Sequence, residues 1–420
     1  MKRLYIILVA LLLAVGISAQ EEYNRSSLYI IPLLHPGTGM YNDIFATSLE
    51  LTIPERYNDH SLGMRLLAEN QNNLSAAEES VRLQRFLAKN QIAKRLVAKW
   101  FCRDKATGAF SMRLVGDRGR YNASAADIEI AMQTTRGEAI LADAGEQLIN
   151  QTFVIFNDIT YYNKEEKAQT ALGIFSIIAQ VATAAVGVSS AIGGQGGQIA
   201  SGVSNMTKSL SDLGGVISDQ VAGFRVDVHS YLFRLHWDEE TAARFYKDYW
   251  FTADQPDAAK KAAFEADKTT FYMEYIGDYS ARSSKTVMRG LHSPGEVFHK
   301  VLARATDKNI VELQHLFPVF KVTAPIYDIQ DGVVRAAIGL KEGVNPKSKY
   351  EVLERTMDEQ GRISYHRRAL LTPDDALIWD NRCMATEEEA ENADLHYTSF
   401  RITQGSAGNL YPGMLLREVR

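Results

Sequence analysis

Only two cysteines, Cys102 and Cys383, occur among the 420 residues. That excludes a disulfide-stapled scaffold, which a chain this long does not need. Their spacing alone does not decide whether they pair. No His/Cys set has zinc spacing and no Asp-rich calcium loop occurs, so no metal is expected. G-x-x-x-x-G-K, H-E-x-x-H, G-x-S-x-G and S-x-x-K are all missing. Gly194-Gln195-Gly196-Gly197 lacks the spacing and preceding strand of a dinucleotide fingerprint, and no cofactor is expected. A basic excess is missing too: 46 Lys and Arg stand against 51 Asp and Glu, which argues against a nucleic-acid binder.

What is present begins at the N-terminus. Lys2 and Arg3 precede an apolar run from Leu4, and Ile17-Ser18-Ala19 is a small-residue cleavage site. This pattern predicts a signal peptide over 1–19 and export, since the run is too short to span a membrane. No cysteine stands near the cut to take a lipid. The remaining length suggests roughly two or three domains.

The local pattern predicts an α+β fold. Residues 20–316 read as a mixed domain and 317–420 as a small β-rich domain, barrel- or sandwich-like. Ser75-Ala76-Ala77-Glu78 is a capping box, and the helix behind it should reach Phe101. Arg82, Arg85, Lys89, Lys94, Arg95 and Lys99 make that helix basic, which suits either a solvated face or an anionic membrane surface. Phe110 to Leu114 alternates as a strand. Thr152 to Tyr162 and Phe224 to Trp237 read as strands, with Asp238 capping the next helix. Ser293-Pro294 starts a further helix. From Val319 onward, short strands alternate with turns.

The longest distinctive feature is a stretch without charge. Ala168 to Thr207 gives 40 residues with no Asp, Glu, Lys or Arg, and Gly193-Gly194-Gln195-Gly196-Gly197 lies inside it. Glycine on that scale breaks a helix. Ile178, Val181 and Val188 on one side, and Met206, Leu210, Leu213 and Ile217 on the other, repeat at near-heptad spacing. An apolar αα-hairpin is therefore predicted over 164–223. It can dock on the protein's own core or a partner, zip with copies of itself, or enter a bilayer. Lys208, Asp212 and Asp219 oppose the last. Matched arms place the flanking strands side by side in one sheet.

One polar line carries possible chemistry. Arg225, Asp227, His229 and Tyr231 share a strand face. Asp227 orienting His229 would make a general base; a solvated or helix-covered face is the plainer reading, because no nucleophile stands beside it in sequence. The aromatic groups at Tyr246, Tyr249, Trp250 and Phe251, and at Phe271, Tyr272 and Tyr275, suit a core better than a sugar platform.

The stretch from Asn90-Gln91-Ile92-Ala93-Lys94 to Trp100-Phe101, with Arg118-Gly119-Arg120-Tyr121-Asn122-Ala123-Ser124, resembles uncharacterised exported proteins of Bacteroidota. Gln20 as first mature residue is similar to exported proteins of that group. The resemblance implies a cell-envelope setting and brings no catalytic residue with it. Tyr411-Pro412-Gly413-Met414 to Arg420 does not resemble the secretion-signal domain of that group, which implies a periplasmic or outer-membrane-associated place. The expected role is a non-catalytic envelope protein that binds a protein partner or itself through the hairpin. The alternative is a hydrolase of an envelope polymer using Asp227 and His229.

Overall fold

In the computed structural model, residues 26–419 are described except 39–40, 52, 55–56, 65, 70–73, 123–144, 147, 164–223, 286–293, 322, 358–362 and 387–389. The expected signal peptide lies outside the described residues. So does the hairpin 164–223, with Ile178, Val181, Val188, Met206, Leu210, Leu213 and Ile217. The described chain is α+β.

The first strand, β1 (Ser26–Leu34), is apolar along almost its whole length and buried on both faces, as a parallel strand requires. It pairs in parallel with β2 (Tyr57–Asp59) and β3 (Leu67–Ala68) along one side, and with β4 (Thr152–Asn163) on the other. Beyond β4 the sheet turns antiparallel, through β5 (Phe224–Leu235) to β6 (Met273–Lys285). The two strands expected to flank the hairpin are thus neighbours. Their pairing runs as far as Asn163 opposite Phe224.

Helices cover both faces. One face packs Val154, Phe156 and Phe233 against α2 (Ala76–Lys89), α3 (Ile92–Trp100) and α5 (Glu239–Asp248), through Leu83, Leu87, Leu96, Trp100 and Phe245. The other packs Ile159, Val226 and Val228 against α1 (Tyr41–Glu50) and α7 (Pro294–Leu316). Asn309 of α7 donates to Val228 O and to Ser230 Oγ, each at 2.8 Å, which fixes the helix to β5.

Two local readings are corrected here. The capping box at Ser75 and Glu78 forms, but the helix ends at Lys89 and a second starts at Ile92. Leu87 and Ile92 are five positions apart, which a straight helix places on different faces. Gln91, left-handed at φ 50°, breaks the helix and returns both to the core. The expected strand at 110–114 gives way to α4 (Arg113–Asn122). Ser111 Oγ accepts from the Arg113 amide and starts the turn. Val115 and Arg118 then fall on one buried face. Five alternating residues are too few to tell a strand from a helix.

The C-terminal part is a single antiparallel sheet. Its strands are β7 (Ala324–Pro325), β8 (Asp328–Gln330), β9 (Val333–Ala336), β10 (Lys349–Met357), β11 (Ile363–Pro373), β12 (Thr398–Gln404) and β13 (Leu415–Val419). The order is β7-β13-β10-β11-β12-β9-β8. Between the edge strands β7 and β8 lie only Ile326 and Tyr327. The run 324–330 therefore meets β13 at its start and β9 at its end, and the sheet closes on itself. Val334, Val352, Leu371, Phe400 and Leu416 fill the interior. The expected strand at Val319 is instead a 3-10 turn (Pro318–Phe320), because Phe320 is drawn under the first sheet to stack on Tyr57 at 5.5 Å. Among the described residues no helix is long and apolar enough to cross a membrane. Cys102 and Cys383 are separate thiols.

Candidate functional site

On the face shared with α2, the apolar core gives way to polar residues toward the Asn163–Phe224 end. Register sets this boundary. Phe156 stands opposite Tyr231, Asp158 opposite His229 and Thr160 opposite Asp227. On the far side of β5, Tyr231 faces Asp278, His229 faces Ser280 and Asp227 faces Arg282.

The carboxylate that holds His229 comes from β6. His229 Nε2 lies 2.6 Å from Asp278 Oδ2. Asp227, the expected partner, is two residues away on the same strand, whereas a neighbouring strand is closer, about 4.8 Å away. The imidazole stacks on the Tyr231 ring at 4.4 Å and 14°, with the Tyr231 hydroxyl 3.5 Å from Nδ1. The other oxygen of Asp278 accepts the Tyr275 hydroxyl. Burial raises the pKa of Tyr231, and Asp158, Glu79 and Asp278 raise it further. Tyr275 shifts upward for the same reasons, burial first and then its bond to Asp278. Both phenols stay protonated at neutral pH and serve as donors, not nucleophiles.

A second pair stands beside the first. His35, which follows β1, is 2.6 Å from Asp158. Arg82 on α2 joins Glu69 to Glu79. Together these groups form a half-buried band of imidazoles, carboxylates and phenols. With Nε2–H given to Asp278, His229 keeps a lone pair on Nδ1 and could accept a proton from a bound hydroxyl or water. Among the described residues His229 hydrogen-bonds only Asp278 and Tyr231. No three of the described His, Cys, Asp and Glu side chains converge as a metal site. A cavity of about 110 Å³ lies elsewhere, between Gln84, Gln91, Lys94, Asp267 and Phe271.

Sequence reasoning found His229 and Tyr231 and missed Asp278, which holds His229, and the His35–Asp158 pair beside it. One signal was there: Asp158 interrupts a run of buried apolar residues in β4, and a carboxylate in such a strand requires a partner. Asp278 and His35 have no such local mark.

The basic helix is largely committed to internal contacts. Lys94 donates to the carbonyls of Phe264, Glu265 and Asp267. Arg95 reaches Leu62 O and Lys99 reaches Ser61 O, while Arg82 is held by its two glutamates. Arg85 and Lys89 remain exposed. Of the aromatic groups, Tyr249, Phe251 and Phe271 are buried, and Phe245 and Trp250 interlock with Phe101 and Phe110. No family model matches the chain, and no curated protein matches it.

Proposed function

We propose that this protein is exported to the cell envelope and acts there, without catalysing a reaction, by binding a protein partner or copies of itself through segment 164–223. The observation that carries this reading is the full-length pairing of β4 and β5. Sixty residues enter and leave the sheet at one point, where Asn163 stands opposite Phe224. The insertion therefore starts and ends beside the last paired residues of the two strands. With a 40-residue uncharged stretch inside it, it has apolar side chains that need cover. Ile178, Val181, Val188, Met206, Leu210, Leu213 and Ile217 form that apolar seam in the helical-hairpin reading.

The test replaces 164–223 by Asn-Gly, a turn that joins paired antiparallel strands directly. The shortened protein should fold with unchanged sheet content and lose self-association or partner capture from envelope fractions. Unchanged oligomer size and unchanged capture would overturn the proposal.

A hydrolase of an envelope polymer is the second reading, favoured by the His229–Asp278 pair. Against it, the hydroxyl nearest His229 is a phenol kept protonated by its surroundings. Activity on such a polymer, lost in His229→Ala with the fold intact, would establish it instead.

A further inference from the structure

His35 is 6% exposed at the end of β1. Its Nε2 lies 2.6 Å from Asp158 Oδ1 on β4, and its Nδ1 lies 3.2 Å from the carbonyl oxygen of Glu69, just after β3. Both partners are acceptors. A neutral imidazole has one N–H and one lone pair, so it satisfies one and turns its lone pair on the other. The imidazolium donates to both, and its bond to the carboxylate is charge-assisted.

The surroundings fit a cation at this point. From β4 the facing group is the Asp158 carboxylate; from the chain after β3 it is Glu69, whose side chain is engaged by Arg82 of α2. Arg82 is also bonded to Glu79, and on β5 His229 stands across from Asp158, bonded in turn to Asp278. Burial works against charge on His35. The Asp158 bond and charge, with the Glu69 carbonyl, outweigh it and hold the pKa above the usual histidine value.

We propose that protonated His35 is a latch fixing Glu69, just after β3, to the polar end of the sheet, and that loss of the proton opens this contact. A folded pKa above the unfolded one fixes the direction. The latch is closed below about pH 6.5, the ordinary histidine value, and opens as pH rises through the folded value. A reporter lies beside it, because the Glu69 amide donates to Leu34 O at 3.0 Å.

In the full chain, the His35 ring is titrated by NMR from about pH 5 to 9. Exchange protection of the Glu69 amide is followed in parallel, corrected for the intrinsic pH dependence of exchange. Protection should fall on the order of tenfold with the midpoint of the His35 titration, the loss expected of a charged hydrogen bond. His35→Gln should have low, pH-independent protection at Glu69. Asp158→Asn should move the midpoint down. An amide that ignores the His35 titration, or an equal fall in His35→Gln, would overturn the latch. If His35→Gln does not fold, an unmoved midpoint in Asp158→Asn does the same.

Discussion

Replacing Lys94 with methionine removes an ammonium group and keeps most of the aliphatic stem. Lys94 is 8% exposed although it sits on a nine-residue helix with two other basic residues, Arg95 and Lys99. Its Nζ donates to Phe264 O at 3.1 Å, Glu265 O at 3.2 Å and Asp267 O at 2.7 Å. These carbonyls end α6 (Ala258–Ala266), where helix carbonyls lack internal donors and negative partial charge collects. The ammonium also lies 5.5 Å from the centre of the Phe264 ring. A hydrogen bond to a charged group contributes about 1.5–3 kcal/mol when fully buried. Only the bond to Phe264 O is of that kind; the other two carbonyls are partly open and recover water in the variant. Relief of the buried ammonium offsets part of the loss, so Lys94→Met should cost about 1–2 kcal/mol net. Urea unfolding measures it as a lower midpoint at unchanged slope. Arg85→Met, on the exposed face of α2, is the control and should stay within about 0.5 kcal/mol of wild type. Equal effects of the two substitutions would mean that Lys94 is solvated, and the argument for its burial would fail.

Two further outcomes are expected. A Cβ at Gly277 would sit 2.1 Å from Phe317 Cζ, so Gly277→Ala should destabilise by about 1–3 kcal/mol in thermal unfolding, and Phe317→Leu in the same chain should recover part of it. Purely additive costs would show that the two residues do not meet. His60 is fully buried, 3.2 Å from Leu96 O, with its ring 5.2 Å from that of Trp100 at a tilt of 32°. Burial first, and then Arg118 and Lys99, hold its pKa well below the usual value. A depressed folded pKa means stability present above about pH 6.5 and lost as pH falls toward the folded value. His60→Phe should flatten that acid limb of unfolding free energy against pH, and an unchanged slope would assign it to other groups.

What could be read from the sequence was local in origin. Ser75 and Glu78 are three residues apart, and their capping box depends on nothing beyond that turn. Asp238 caps α5 in the same way, and Pro294 opens α7 at the position that tolerates proline. The pairing of β4 with β5 also agrees with the expectation that the strands on either side of segment 164–223 are neighbours. What stayed hidden depends on distant parts of the chain. The meeting of His229 with Asp278 depends on β5–β6 register across 49 positions, including a bulge between Leu232 and Phe233. Lys94 differs from its basic neighbours only because the end of α6 arrives 170 residues later.

The same distinction governs the candidate site. Period-two alternation correctly placed Asp227, His229 and Tyr231 on one face, because that follows from strand geometry alone. It did not assign partners, because each position on β5 has neighbours on two strands and diagonal ones besides. Asp278 stands opposite Tyr231 and still reaches His229, a diagonal contact made possible by a long imidazole leaning along the strand. Asp158 stands directly opposite His229 yet bonds His35 on the other side. Two imidazoles and two aspartates thus sort into alternating pairs across four strands. Changing either pair changes the charge facing the other, so His35→Gln and Asp278→Asn should not be additive in stability. Additive effects would mean that the two pairs are electrically separate and that the band is two local contacts on one face.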